Sequence, residues 1–352
     1  MMKTYFLQVK NIVKETEDSI TIEFWHPLSE QIKYKAGQFL TLIVPADNGN
    51  KVRRSYSMSS SPHADSSVAV TIKRVAGGLV SNYLCDNVSV GDFLEVVEPM
   101  GHFVVEPDAS ISRSVVLVGA GSGITPLISI AKSILKVEPN SKVSLIYGNR
   151  TSNNIIFRKA LIDLEMEYSG RFQSIIILSQ ADDNWAGERG RISRANIVIL
   201  LKEMDIHFKE ESFYLCGPVE MMDEVTTSLK MFEVPDERIH KENFHAPTLD
   251  DKVELAEEEG LKTREIMVKY DGEDFTFKVE PHQSILEAAL ELDIDLPYSC
   301  QAGMCTACLG KCTSGKVIMD EDEGLTESEI KEGLVLTCVA HPSTTGVVIE
   351  IE

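Results

Sequence analysis

Very little in this chain commits it to a membrane or to nucleic acid. No uninterrupted apolar run reaches the ~18 residues that a transmembrane helix needs. Positive charge is scarce: 34 Lys and Arg stand against 55 Asp and Glu, a formal net charge of −21 over 352 residues. Such a surface repels phosphate backbones and anionic headgroups, which argues against nucleic-acid and membrane-surface partners. The opening MMKTYFLQVKNIVKETEDS lacks the basic–apolar–small order of a secretory signal, so a cytoplasmic location is expected. An odd count of seven cysteines speaks against a disulfide framework. A disordered composition is absent too: 43% hydrophobic and 25% charged residues are ordinary globular usage. The length suggests two or three domains.

What is present is unevenly placed. Residues 250–352 hold 24 acidic and 8 basic side chains, whereas residues 1–249 hold 31 and 26. Five of the seven cysteines (Cys300, Cys305, Cys308, Cys312 and Cys338) share that acidic segment, and clustered unpaired cysteines point to a metal.

The first hundred residues read as β. TYFLQVKNIV, SITIEFWH, QFLTLIVP, VAVTIKRV and DFLEVVEP are short β-rich runs punctuated by Pro, Gly, Asn, Asp and Ser, as in a small antiparallel barrel or sandwich. The pattern changes near residue 110. SVVLVGAG, KVSLIYGN, FQSIIILSQ and SFYLCGP are apolar runs, each followed by a helical stretch, which predicts a parallel sheet with right-handed crossovers. PTLDDKVELAEEEGLKT (247–263) reads as an acidic linker. Beyond it, REIMVKYDG and EDFTFKVEP predict a hairpin around Asp271-Gly272; SILEAALELDI predicts a short helix and GVVIEIE a closing strand.

The strongest signal is Cys300-x4-Cys305-x2-Cys308 with Cys338 after 29 intervening residues. Soft thiolates suit iron, and this spacing is that of plant-type iron–sulfur ligation. Small residues (Ala302, Gly303, Thr306, Ala307) let backbone amides approach the sulfides. A structural zinc site is the competing reading, but zinc favours two Cys-x2-Cys knuckles and one is present. Cys312, a fifth cysteine, reads as a small buried hydrophobe. Residues 264–352 thus resemble a plant-type [2Fe-2S] ferredoxin domain. The resemblance implies a β-grasp fold with Cys300, Cys305, Cys308 and Cys338 as ligands.

In the barrel, Arg53-Arg54-Ser55-Tyr56-Ser57 places a cation and an aromatic on one face of an extended strand and two hydroxyls on the other. An arginine suits a pyrophosphate, a tyrosine ring a flavin face, and a hydroxyl a ring nitrogen. By itself this is equally an ordinary strand with exposed polar residues. Gly77-Gly78-Leu79-Val80-Ser81 adds a glycine turn opening a helix, whose N–H groups are available to an anion. R-x-Y-S followed by G-x-x-S resembles the flavin domain of the ferredoxin–NADP reductase superfamily. The resemblance implies FAD rather than FMN, held by Arg54, Ser55, Tyr56 and Ser57, by the strand Thr71-Ile72-Lys73, and by Gly78, Leu79, Val80 and Ser81.

Gly119-Ala120-Gly121-Ser122-Gly123-Ile124-Thr125-Pro126 follows the first parallel strand and opens a helix. Its glycines admit a pyrophosphate, although Pro126 stands where the dinucleotide fingerprint has a third glycine. G-x-G-x-x-P after a flavin barrel is what the superfamily carries. The resemblance implies that Gly119, Gly121, Gly123, Thr125 and Pro126 bind the dinucleotide. It also implies that Cys216-Gly217-Pro218 lies at the nicotinamide, with Cys216 near the reacting carbon, and that Ser57 and Phe244 complete the hydride site. His26 and His245 receive no role. Arg150, ending the second strand, favours the 2′-phosphate of NADPH over NADH, with Arg189 and Arg191 as possible auxiliaries.

The fold class expected is therefore multidomain: an antiparallel FAD-binding β-barrel (1–108), an α/β parallel-sheet NAD(P)-binding domain (109–246), an acidic linker (247–263) and an α+β β-grasp ferredoxin domain (264–352). The order resembles the reductase component of multicomponent oxygenases, of the phenylacetyl-CoA oxygenase reductase type. It implies an NAD(P)H oxidoreductase passing electrons through FAD and a [2Fe-2S] cluster to an oxygenase component or similar protein. The docking face expected is the acidic ferredoxin domain, with Asp320, Glu321, Asp322 and Glu323 as contributors. A reductase of small acceptors is the alternative, and a non-catalytic metal-stabilised scaffold is a further one.

Overall fold

The structure, a computed structural model, describes residues 3–25, 32–45, 51–244, 256, 259–303, 305–320 and 324–351. His26, His245, most of the 247–263 segment and Glu321–Glu323 fall outside them. Two compact units emerge, Thr4–Asn243 and Phe244–Glu352 with the first three residues.

The larger unit begins with six antiparallel strands: β1 (Thr4–Lys14), β2 (Ser19–Phe24), β3 (Phe39–Pro45), β4 (Lys51–Ser57), β5 (Val68–Lys73) and β6 (Phe93–Met100), in the order β4-β3-β6-β1-β2-β5. β1 changes neighbours midway. Its first half pairs with β6, its second half with β2, and a bulge between Val9 and Asn11 turns it from one to the other. A bridge between Met58 and Val70 brings the outermost strands together and closes the barrel. The interior is filled by Leu7, Val9, Ile22, Phe24, Leu40, Leu42, Val70 and Ile72. The R-x-Y-S stretch is itself a strand, β4, beyond the five β-rich runs. Helix α1 (Leu79–Asn87) leans on the barrel end, burying Val80, Ser81 and Leu84.

The second half of this unit is a six-stranded parallel sheet. Its strands are β7 (Ser114–Ala120), β8 (Lys142–Asn149), β9 (Phe172–Leu178), β10 (Glu188–Arg189), β11 (Ser212–Cys216) and β12 (Ile239–Glu242), ordered β10-β9-β8-β7-β11-β12. Sequence patterning gave four of these. The remaining two, β10 and β12, are short edge strands too polar to stand out. Helices α2 (Ile124–Val137), α3 (Arg158–Glu167), α4 (Arg194–Glu203) and α5 (Val219–Met231) cover the two faces, burying one apolar cluster on each. Chain order reverses between β7 and β11, and open α/β sheets bind ligands beyond the strand carboxyl ends at such a point.

Barrel and sheet meet along a seam of hydroxyls. Ser129 Oγ donates to the Ser60 carbonyl at 2.6 Å, and Ser61 and Ser133 share a 2.7 Å hydrogen bond. Tyr214 donates to the Val104 carbonyl and packs edge-on against Phe103.

In the C-terminal unit, β13 (Arg264–Tyr270) and β14 (Glu273–Val279) form the hairpin expected at Asp271-Gly272, both of which have positive φ (51° and 80°) as a tight two-residue turn demands. Strands β15 (Leu309–Ser314), β17 (Leu334–Leu336) and β19 (Val348–Ile351) join them in the order β14-β13-β19-β15-β17, while β16 (Val317–Met319) pairs with β18 (Ala340–Pro342). Helix α6 (Ile285–Glu291) starts at a capping box between Ser284 and Glu287 and buries Ile285, Leu286, Ala288 and Ala289 against the sheet. A short α7 (Glu327–Lys331) follows the cysteine loop. A helix grasped by a mixed sheet is the expected architecture. No helix of the described residues is long and apolar enough to cross a membrane.

Candidate active site and cluster loop

On β4 the side chains alternate as the extended backbone requires. Arg54 is exposed beside Tyr56, and burial pushes the Tyr56 phenol well up, opposed by the Arg54 charge. On the other face Ser55 and Thr41 hydroxyls share a 3.0 Å bond, and Ser57 is buried. Helix α1 has no side-chain cap on its first turn, so its leading N–H groups point out of the helix. Gly78 is required here: a Cβ would stand 2.8 Å from Ser81 Oγ, which itself accepts from Val75 N at 3.1 Å. The arrangement fits a dinucleotide flavin, with an arginine and an open helix N-terminus for its phosphates. The Thr71 hydroxyl bonds to Ser59 and Thr21 inside the barrel and Ile72 is buried, which leaves the backbone as the part of this strand able to meet a ligand.

The two nucleotide motifs interlock. Cys216 lies opposite Gly119 in the β7–β11 register. A Cβ on Gly123 would fall 2.0 Å from the Cys216 carbonyl oxygen, and one on Gly217 would fall 3.1 Å from Ala120 N. The glycines thus permit the mouth of α2 and the C-G-P turn to press together at the reversal point of the sheet. Gly121 takes positive φ (56°), and the Tyr147 hydroxyl donates to its carbonyl at 2.8 Å. Thr125 is buried, donating to the Ser122 carbonyl, and Pro126 sits in the first turn of α2. The Lys73 ammonium comes within 3.8 Å of the Cβ position of Gly121, so a barrel side chain reaches this loop.

Cys216 is fully buried, and burial, followed by the nearby Glu242 carboxylate, holds its thiol well above its ordinary value. It is a neutral thiol at neutral pH, not a thiolate nucleophile. Glu242 is the residue that sequence reasoning passed over. It pairs in register with Cys216, is buried, and accepts a 3.2 Å hydrogen bond from Ser57 Oγ. Three strands that are distant in sequence thereby bring a hydroxyl, a carboxylate and a thiol together. Only knowledge of the β11–β12 register reveals this.

Arg150 is exposed just beyond β8, its carbonyl accepting from Gln180 N. Arg189 is spent elsewhere: its guanidinium binds the carbonyls of Ala181, Asp182 and Trp185. Arg191 is exposed. Phe244 is 41% exposed and groups with the C-terminal unit.

In that unit Cys300, Cys305, Cys308 and Cys338 are brought together. The Cys305 thiol interacts with Cys300, and the Cys338 thiol with both Cys300 and Cys308. These contacts and burial push Cys305 and Cys338 up, while the Cys338 contact pulls Cys308 down. Buried thiols so close share their protons, and only a cationic centre lets all four ionise. Among the described residues no group of three or more His, Cys, Asp or Glu forms a site for a single ion as it stands. Ala302 N points at Cys300 Sγ at 3.4 Å, the amide-to-sulfur approach the small residues allow. Gly324 N donates to the Gly303 carbonyl, closing the loop.

Two expectations need correction here. Cys312 is only half-buried, at the edge of the core beside the register irregularity between Cys312 and Ser314, with its Sγ donating to the Ser314 carbonyl at 3.3 Å. Asp320 is not a surface charge. Its carboxylate turns inward to His341 Nε2 at 3.0 Å, with side-chain exposures of 8% and 1%.

Comparison with known proteins gives three family matches along the chain. The chain matches the oxidoreductase FAD-binding domain over residues 7–105, the oxidoreductase NAD-binding domain over 117–227, and the 2Fe-2S iron–sulfur cluster binding domain over 268–343. It is 37% identical to one of the subunits of 1,2-phenylacetyl-CoA epoxidase from Escherichia coli (strain K12), covering 100% of this chain and 99% of that one. It is 35% identical to the ferredoxin reductase component of 3-ketosteroid-9-alpha-monooxygenase from Rhodococcus rhodochrous, over 99% and 97%. Phthalate dioxygenase reductase has the same fold, with a TM-score of 0.64 at 23% identity, over 99% of this chain and 98% of that one.

Proposed function

We propose, since this chain belongs to the family of flavin- and iron–sulfur-containing reductase components of oxygenases, that it is the electron donor of such an oxygenase, draws preferentially on NADPH, and works in the cytoplasm. It is an NAD(P)H-dependent electron-transfer flavoprotein carrying FAD and a [2Fe-2S] cluster. The bound groups supply the redox chemistry: FAD the hydride acceptor and the change from two-electron to one-electron transfer, the cluster the single-electron carrier. The protein supplies position. Arg54 and the open N-terminus of α1 hold the flavin phosphates, while Tyr56 and Ser57 flank its ring system. Gly119, Gly121 and Gly123 hold the coenzyme pyrophosphate, and Cys216 and Gly217 lie at the nicotinamide. Glu242, held by Ser57, fixes polarity beside the reacting centre. Cys300, Cys305, Cys308 and Cys338 bind the cluster. The observation that carries this reading is the interlock of Gly123 with the Cys216 turn beside the buried Ser57–Glu242 pair, since it brings side chains of barrel and sheet together, which supports a shared hydride site.

Exposed Arg150, at the end of β8, supports the NADPH preference. The cytoplasmic assignment is supported by seven unpaired cysteines, which suit a reducing compartment. The acceptor is taken to dock on the acidic C-terminal unit. Two experiments test the reading. Cys305→Ser should remove the iron–sulfur absorption while flavin reduction by NADPH persists, because cluster and flavin have separate ligand sets. Loss of both together, or neither, contradicts it. Arg150→Ala should raise KM for NADPH by about 10- to 150-fold, as a charge-assisted contact of ~1.5–3 kcal/mol implies, and leave KM for NADH nearly unchanged. A wild type that prefers NADH would refute the preference.

A further inference from the structure

We propose that Asp18 is a positioning residue for coenzyme binding, whose carboxylate holds the Lys73 ammonium beside the glycine-rich loop and competes for it with the pyrophosphate of the pyridine dinucleotide. The inference rests on the reading of Gly119–Pro126 as the dinucleotide site. Asp18 lies in the turn between β1 and β2, and its placement is fixed. Its Oδ1 accepts from Thr16 Oγ1 at 2.7 Å and from Ser19 Oγ at 3.1 Å, and its carbonyl accepts from Arg74 N at 2.7 Å. Oδ2 is thereby aimed at Lys73 Nζ, 3.8 Å away. Lys73 ends β5 directly opposite Ser19 in register. The same Nζ lies 3.8 Å from the Cβ position of Gly121, in the loop that opens α2. One ammonium therefore stands between a barrel carboxylate and the phosphate-binding backbone of the sheet.

The surrounding charge sharpens the competition. Both Asp18 and Glu15 act electrostatically on Tyr147, whose hydroxyl holds the Gly121 carbonyl, so the acidic tip of the barrel faces this edge of the sheet. A dinucleotide brings two negative phosphates to that edge. Asp18 repels them and also engages the cation that would offset them. Side-chain exposures of 30% and 37% keep the pair partly screened, so the effect is modest: about 1.5- to 5-fold in affinity.

The test uses the FAD-loaded full chain, titrated separately with NADP⁺ and NAD⁺ while flavin absorbance is followed. Asp18→Asn keeps the Oδ1 acceptor and hence the turn, and should tighten both coenzymes by that factor, since the pyrophosphate is common to them. Asp18→Ala should act in the same direction. Lys73→Gln should weaken both, and Asp18→Asn placed on Lys73→Gln should bring no further change. An unchanged or weakened affinity in Asp18→Asn, or a gain of full size on the Lys73→Gln background, overturns the proposal. If Lys73→Gln weakens binding while Asp18→Asn does nothing, the dinucleotide site stands and the role of Asp18 falls. If neither changes binding, the placement of the site falls with it.

Discussion

A buried carboxylate beside a buried thiol is costly unless its oxygens are occupied, and at Glu242 one occupant is the Ser57 hydroxyl. The pair belongs to barrel and sheet together, so its charge is in place only when the two are joined. Replacing Glu242 with Gln keeps the shape and removes the charge. The rate of flavin reduction by NADPH should fall by roughly 10-fold or more, in line with ~1.5–3 kcal/mol for a hydrogen bond to a charged group, while the affinity for NADP⁺ stays within about twofold. Stopped-flow absorbance measures the first and equilibrium titration the second. An unaltered reduction rate would show that Glu242 is merely a structural acid.

At the scale of elements, the decisive contact is α2 against the turn after β11. Gly123 leaves no space for a side chain, and the obstruction is backbone, which cannot rotate away. Gly123→Ala should therefore cost about 1–3 kcal/mol or more and lower Tm by several degrees, about 2–4 °C per kcal/mol for a unit of this size. Calorimetry should show that loss together with weakened NADP⁺ binding. A variant as stable as the parent would mean that the two elements do not press together as described. These elements were legible to different degrees. Cysteine spacing made the gathering of Cys300, Cys305, Cys308 and Cys338 legible because all but one lie on a single loop, where chain distance is spatial distance. The Asp271-Gly272 hairpin was legible for the same reason. Glu242 and Asp18 were not. Each acquires its partner through strand register, Glu242 across β11–β12 and Asp18 beside the Ser19–Lys73 pair, and no local pattern encodes register. Asp320 was misread because an acidic run resembles solvated surface, and its partner His341 stands 21 positions away.

For the whole molecule, charge asymmetry is the leading feature. With Asp320 turned inward, the docking proposal rests on Glu321, Asp322, Glu323 and the other carboxylates of the C-terminal hundred residues. Opposite fields steer association, and salt screens them over about 10 Å at 0.1 M. Reduction of cytochrome c, a basic acceptor, should slow as ionic strength rises, and neutralising Glu321, Asp322 and Glu323 together should flatten that slope. If the slope persists unchanged, the contact face lies elsewhere on the unit.

The interlock at Gly123 also has a temporal meaning. Chains are made from the N-terminus, and domains generally fold as they emerge. The barrel strands and α1 are complete by residue 105, so the flavin's cradle can form while most of the protein is still unsynthesised. The coenzyme cleft proposed above cannot form then, since it needs the Cys216–Pro218 turn. Its carboxylate, Glu242, emerges later still. On the ribosome, then, this enzyme is able to hold its flavin well before it can be reduced, and the cysteine loop follows only after both. The order of the modules thus delays flavin reduction until two thirds of the chain is made, and the one-electron carrier that drains the flavin comes last.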